Sequence, residues 1–257
     1  MRLFIAIVLL ANLSSGQISN RFERNFDFEN EIDRENMVDS LNTYDFSSIW
    51  TKTKNEAVLG VIGEDHQRIK IKLIAITRKT NSPNQYLVIG KSAVKGTICD
   101  FSGVITLTAI HKLKQLHFGV DDDYANKGIK SQGVLKAKYE FKEDSTQKHS
   151  GTFKGELFSK WYLDAENQVV YDDIEAHADS YMNNAFVGVW KSDTTQKEKI
   201  CNWGDYRIPK INSDFDIGEG EFAPNKKYQK KGWSTYLKAW AQGNEKAIKI
   251  ETMEWWK

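Results

Sequence analysis

Residues 172–179, Asp-Asp-Ile-Glu-Ala-His-Ala-Asp, hold the densest set of side chains able to ligate a cation or move a proton. On a strand, Asp173, Glu175, His177 and Asp179 share one face, and carboxylates with an imidazole at that spacing can bind a divalent cation. The same alternation is what a solvated strand edge requires, and that is the ordinary reading. A second set lies downstream, where Trp203, Tyr206 and Arg207 are followed by Asp214, Asp216, Glu219 and Glu221. Carboxylates beside Trp203 and Tyr206 can hold a sugar, and two at the right separation can cleave one. Cleavage also needs one carboxyl kept protonated and its neighbour ionised. More commonly such a loop caps a barrel end, its acids satisfying turns and helix starts.

Other candidates carry less. Asp121–Gly128 begins like a calcium loop but lacks the alternate oxygens and terminal glutamate, so a surface turn is expected. His111 shares a strand face with Ile105, Leu107 and Ala109, where a core histidine is expected. There is no P-loop, no G-x-G-x-x-G after a strand, no H-E-x-x-H and no G-x-S-x-G, so neither a cofactor nor a catalytic residue is assigned. Two cysteines, Cys99 and Cys201, stand far from histidine and from each other. In an exported chain they are expected to pair, closing a loop that would stabilise the fold by about 4–5 kcal/mol.

The elements that must position these groups are mostly strands. In 134–142, Leu135, Ala137, Tyr139 and Phe141 alternate with Lys136, Lys138, Glu140 and Lys142; in 152–163, Phe153, Gly155, Leu157, Ser159 and Trp161 share one side. Two alternating runs around a polar loop read as a hairpin with one wet face. Similar strands are expected at 58–62, 68–77, 85–91, 103–111, 168–176 and 186–191. Phe186, Gly188 and Trp190 lie on one face of the last. Serial strands with one apolar face close into an antiparallel β-barrel or stack as a sandwich. Glycines within strands (Gly60, Gly90, Gly155, Gly188) favour the barrel's curvature. Residues 200–225 read as a long loop. Trp233, Tyr236, Leu237 and Trp240 then form a helical stripe, and 247–256 suits either strand or helix.

Met1-Arg2, the apolar run 3–11 and the small residues 14–16 have the three-part form of a cleaved signal peptide, expected to end at Gly16. The expected divisions are a signal at 1–16, an acidic arm or linker at 17–56 with a short helix near 31–41, a barrel at 57–200, and a C-terminal loop, helix and terminal segment at 201–257. Removing 1–16 takes Arg2 from 36 basic residues, leaving 35 against 35 acidic ones. A net charge of zero argues against nucleic acid as a partner. No later run is apolar enough for a membrane span.

The stretch FVGVW (186–190) resembles the G-x-W strand of lipocalins and the similar strand of avidins, which implies a calycin-like barrel and an interior position for Gly188 and Trp190. YLVIGKSAVKGTICDFSG (86–103), YMNNAFVGVW (181–190) and CNWGDYRIP (201–209) together resemble a family of uncharacterised exported bacterial proteins, a resemblance that implies no activity. Because Gly188 follows most of the strands, this strand is expected to close the barrel rather than begin it. The function expected is a periplasmic or extracellular, non-enzymatic barrel binding a small or glycan-like molecule. Trp190, Trp203, Tyr206, Asp216, Glu219 and Glu221 are the candidate contacts. The alternatives are a glycan hydrolase using the 203–221 loop and a structural protein of the envelope.

Overall fold

The computed structural model describes Phe26, residues 31–41 and residues 43–257; the expected signal peptide lies outside the described residues. Nine strands follow one another: β1 (Val58–Ile62), β2 (Gln67–Lys79), β3 (Ser82–Val94), β4 (Thr97–Lys112), β5 (Ser131–Glu143), β6 (Gly151–Leu163), β7 (Val169–Tyr171), β8 (Asn183–Ser192) and β9 (Glu198–Asp205). All pair antiparallel in the order β5-β4-β3-β2-β1-β9-β8-β6-β7. β5 also pairs with β6, from Ser131↔Leu163 to Lys142↔Thr152, and this closes eight strands into a ring. The short β7 joins the end of β6 that β8 does not reach. The chain is an antiparallel β-barrel.

Alternation sets the two surfaces. On β5, Leu135, Ala137, Tyr139 and Phe141 are buried inside, while Lys136 and Glu140 point out and pair with Glu156 and Lys154 of β6 at 3.2 Å each. Such exposed pairs contribute little, so it is the inner face that holds the ring. The middle of the barrel is filled with rings. Phe186 stacks on Trp203 at 4.5 Å, and Tyr139 meets both edge-on at 5.2 and 5.3 Å. Phe153 adds an edge contact to Trp203 at 5.9 Å. Room for Tyr139 comes from the paired glycines Gly155 and Gly188, over which its hydroxyl lies. That hydroxyl is buried and has no hydrogen-bond partner among the described residues.

Four expectations about the strands and cysteines need correction. Residues 198–205 form β9, not the start of a loop, because Cys201 and Trp203 alternate inward while flanking turn formers conceal the pattern. The strand expected over 168–176 stops at Tyr171, where Asp172 Oδ1 accepts the Ile174 amide at 3.1 Å and turns the chain. The shared acidic face of Asp173, Glu175, His177 and Asp179 therefore does not form. A bulge between Leu107 and Ala109 reverses the faces of β4, so Ile110 is buried. His111 turns outward, with Nδ1 at 3.1 and 3.0 Å from the carbonyls of Asp33 and Glu35. Finally, Cys99 and Cys201 are both free and buried. They lie on β4 and β9, four strands apart around the ring by either route, so they face each other across the barrel. A disulfide needs Cα atoms within about 7 Å, which opposite walls do not offer.

The two ends of the barrel differ. One end carries the long connections 113–130 and 164–182 and is sealed by the acidic arm. The helix expected near 31–41 is absent. Instead Ile32 bridges to Leu113, Met37 N donates to the Ile110 carbonyl, and the chain then tucks Phe46, Ile49 and Trp50 into the opening. Phe46 meets Trp161 at 5.6 Å and Trp50 meets Tyr86 at 5.0 Å, both edge-on. Beneath the seal, Thr53, Asn184 and Tyr171 all donate to Oδ2 of the buried Asp205, at 2.7, 2.7 and 3.1 Å. The other end has only short connections, residues 63–66, 95–96, 144–150 and 193–197.

Residues beyond β9 pack on the outside of β1. Leu59 and Val61 point outward and are covered by Ile208, Phe215, Phe222 and Trp233. Arg68 forms a two-pronged pair with Glu251 at 2.9 and 2.5 Å, which holds the helix Glu245–Thr252 against β2. The expected stripe at 233–240 is a short helical turn, Ser234–Tyr236, that widens into a π-turn over Leu237–Ala241 and leaves Trp240 exposed. Trp255 reaches Asn55 Oδ1 at 3.0 Å, and Lys72 lies over the Trp256 ring. Among the described residues no helix is long and apolar enough to cross a membrane.

Candidate functional site

With one end covered by the arm and the middle filled, the short-turn end is left open. A cup of about 540 Å³ opens there, and each of the eight ring strands supplies part of its wall. Strand alternation explains the lining: the inner positions toward the turns include Ile62 on β1, Ile69 on β2, Val94 on β3, Cys99 on β4, Phe153 on β6 and Trp190 on β8. A cavity with mainly apolar walls and a few fixed polar groups is the usual form of a small-molecule site.

The principal polar group is Glu143, the last residue of β5 and the next inward position after Phe141. Only 4% of it is exposed. Trp190 Nε1 donates to Oε2 at 2.9 Å, and Ser92 Oγ donates to Oε1. The three side chains thus form a hydrogen-bonded bridge from β8 through β5 to β3, where Ser92 is the strand partner of Cys99. Burial pushes the Glu143 carboxyl above its usual range, and the hydrogen bonds from Ser92, Trp190 and the Gly151 backbone oppose that rise. No salt bridge to Glu143 is formed among the described residues. Gln67 is a second inward group, 6% exposed: its Nε2 donates to the Lys231 carbonyl at 2.9 Å, while Oε1 is buried without a partner. Around the rim stand the exposed side chains of Lys95, Lys197 and Lys199.

The candidate contacts do not converge. Trp190 is half-buried and lines the cup, with its ring over Gly151 of β6, where a Cβ would sit 2.4 Å from the indole. Trp203 is buried in the central aromatic packing beneath. Tyr206 leaves the barrel at the sealed end, where it meets Tyr181 edge-on at 5.3 Å. The loop carrying Asp216, Glu219 and Glu221 lies on the outer flank of β1 rather than over a barrel end. Asp216 is buried and bound by Arg207 at 2.5 Å, and the same guanidinium takes the carbonyl of Glu219 at 3.0 Å. Glu219 and Glu221 point to solvent. Arg207 is therefore the organiser of that loop.

Glu143 escaped sequence reading because the strand was ended at Lys142, which gave the acid to the turn. Its signal was present: the inward register Leu135, Ala137, Tyr139, Phe141 leads directly to a carboxylate. Ser92 and Gln67 gave no comparable signal, since short polar residues near turns are common. Compared with protein-family models, curated proteins and solved structures, the chain matches none.

Proposed function

We propose that this chain is an exported, non-enzymatic β-barrel protein that binds a small organic molecule in the open cup. The observation that carries the proposal is the asymmetry of the barrel. The arm and the aromatic layer fill one end and the middle, and eight strands wall a cavity of small-ligand size at the other. Ligand burial against Trp190 and Phe153 supplies apolar contact, and the fixed Glu143–Trp190–Ser92 bridge supplies orientation. Export rests on the signal-like residues 1–16, and periplasmic or extracellular residence follows from it.

The 203–221 loop supports a hydrolase less well, because Asp216 is neutralised by Arg207, Asp205 is buried under three donors, Asp214 is tied to Lys227 and Tyr228, and Glu219 and Glu221 are exposed. The test is a thermal-shift screen of the full protein against lipids, sugars, vitamins and small amines, repeated on Trp190→Ala. A shift in the wild type that weakens in the variant supports the cup. Absence of a shift from every class overturns the proposal.

A further inference from the structure

The buried polar groups of the cup include two acceptors. Glu143 is a buried carboxyl that receives hydrogen bonds from Trp190, Ser92 and the Gly151 backbone and makes no salt bridge among the described residues. Gln67 Oε1 is a buried acceptor with no donor. The aromatic wall also suits a cation: Lys199 Nζ stands 5.8 Å from the centroid of the Trp190 ring, so the indole already has a positive charge beside it. That lysine is exposed and its stem is flexible, so it is not a fixed counter-ion.

From these we infer that the cup takes an amphipathic organic ammonium ion, its charged nitrogen directed inward to Glu143 and its apolar body against Trp190 and Phe153. The inference rests on the cup being the binding site, as proposed above.

The rim lysines argue the other way, since Lys95, Lys197 and Lys199 would draw an anion. Location decides between the two. The lysines sit in water, where their field is weak and salt screens it; Glu143 is held in a low-dielectric wall, where the same charge acts several times more strongly. An anion that entered would meet a desolvated carboxyl. An ammonium ion would be received by the Glu143 carboxyl, and aromatic faces attract it in addition.

Three probes of nearly equal size separate these outcomes: phenethylammonium, 2-phenylethanol and phenylacetate. Each is titrated into the full protein, wild type and Glu143→Gln, by calorimetry or tryptophan fluorescence. The expected result is tightest binding of phenethylammonium, reduced about tenfold or more in Glu143→Gln, with 2-phenylethanol changed less than about threefold. Glu143→Gln keeps the shape and an acceptor for Trp190, and its binding of the alcohol checks that the cup is intact. Phenylacetate or the alcohol binding more tightly than the amine, in a way that Trp190→Ala weakens, would overturn the ammonium assignment and leave the cup as a binding site. Amine binding that is equal in wild type and Glu143→Gln would also overturn it. Failure of all three probes together with the whole screening panel would overturn both.

Discussion

Adding a single carbon at residue 188 tests the packing of the barrel interior directly. Gly188 pairs with Gly155 across β8 and β6. A Cβ there would stand 2.2 Å from the Lys154 carbonyl oxygen, 2.6 Å from the Tyr139 hydroxyl and 2.9 Å from the Gly155 Cα. Two of those three atoms are backbone of the neighbouring strand, so no side-chain rotation can relieve the contact. Gly188→Ala must therefore push β6 and β8 apart, at a cost near the upper end of the overpacking range, about 3 kcal/mol. For a chain of this size that corresponds to a fall of roughly 6–12 °C in the melting midpoint. Calorimetry or urea unfolding monitored by tryptophan fluorescence measures it. Placing Gly188→Ala in a Tyr139→Phe background removes the hydroxyl but leaves the carbonyl, so less than half the loss should be recovered. A midpoint for Gly188→Ala within about 1 °C of wild type would show that this position is not crowded and that β8 is placed wrongly.

Three further outcomes follow from buried groups. Tyr139→Phe alone should leave stability unchanged or raise it by about 1 kcal/mol, since burial pushes this phenol's pKa well up and its hydroxyl has no partner to lose; thermal unfolding reads this. Burial also pushes Asp205 up to about 7. Between about pH 4 and 7 the folded chain then keeps a proton that the unfolded chain has released, so raising the pH through that window removes stability, by roughly 4 kcal/mol over its whole span. Asp205→Asn abolishes that contribution, so the difference in unfolding free energy between variant and wild type should move in the variant's favour as pH rises from 4 to 7. A pH-independent difference would refute the assignment. Mass spectrometry after alkylation without reductant should find both cysteines labelled in the unfolded protein. In the folded protein Cys99, which lines the cup and is pushed up to about 11 by burial, should react slowly, and Cys201 not at all.

Much of the ring was legible because period-two alternation survives wherever one face is packed and the other wet, as in Leu135–Phe141 against Lys136–Lys142. Alternation fails to report where a local hydrogen bond outranks it. Asp172 captures the Ile174 amide and ends β7 early. The bulge beside Thr108 exchanges the faces of Ile110 and His111, and no composition signal marks it. At the end of β9, Trp203-Gly204-Asp205-Tyr206 looks like turn chemistry, yet its Asp205 is the buried acceptor for three donors from other elements. The candidate site was half legible for the same reason. Trp190 was found by its place on a strand. Its partners Glu143 and Ser92 are fixed by pairings across the barrel that local patterning does not encode. The cysteine pairing failed because sequence separation says nothing about which wall of a ring a residue occupies.

The uneven attachment of β1 bears on how the chain assembles. It shares only the pairs Val61↔Arg68 and Ile62↔Gln67 with β2, its neighbour in sequence, but five pairs with β9, from Val58↔Asp205 to Ile62↔Cys201. The hairpins from β2 to β6 are local and can form as the chain emerges, whereas the partner of β1 is synthesised about 140 residues later. The first strand made is thus the last placed, and closure of the ring waits on a slow, long-range encounter. Until then β2 and β9 present bare edges, the condition in which β-proteins pair with one another. Residues 206–257, which cover β1 only after it has docked, act as a latch on the finished ring.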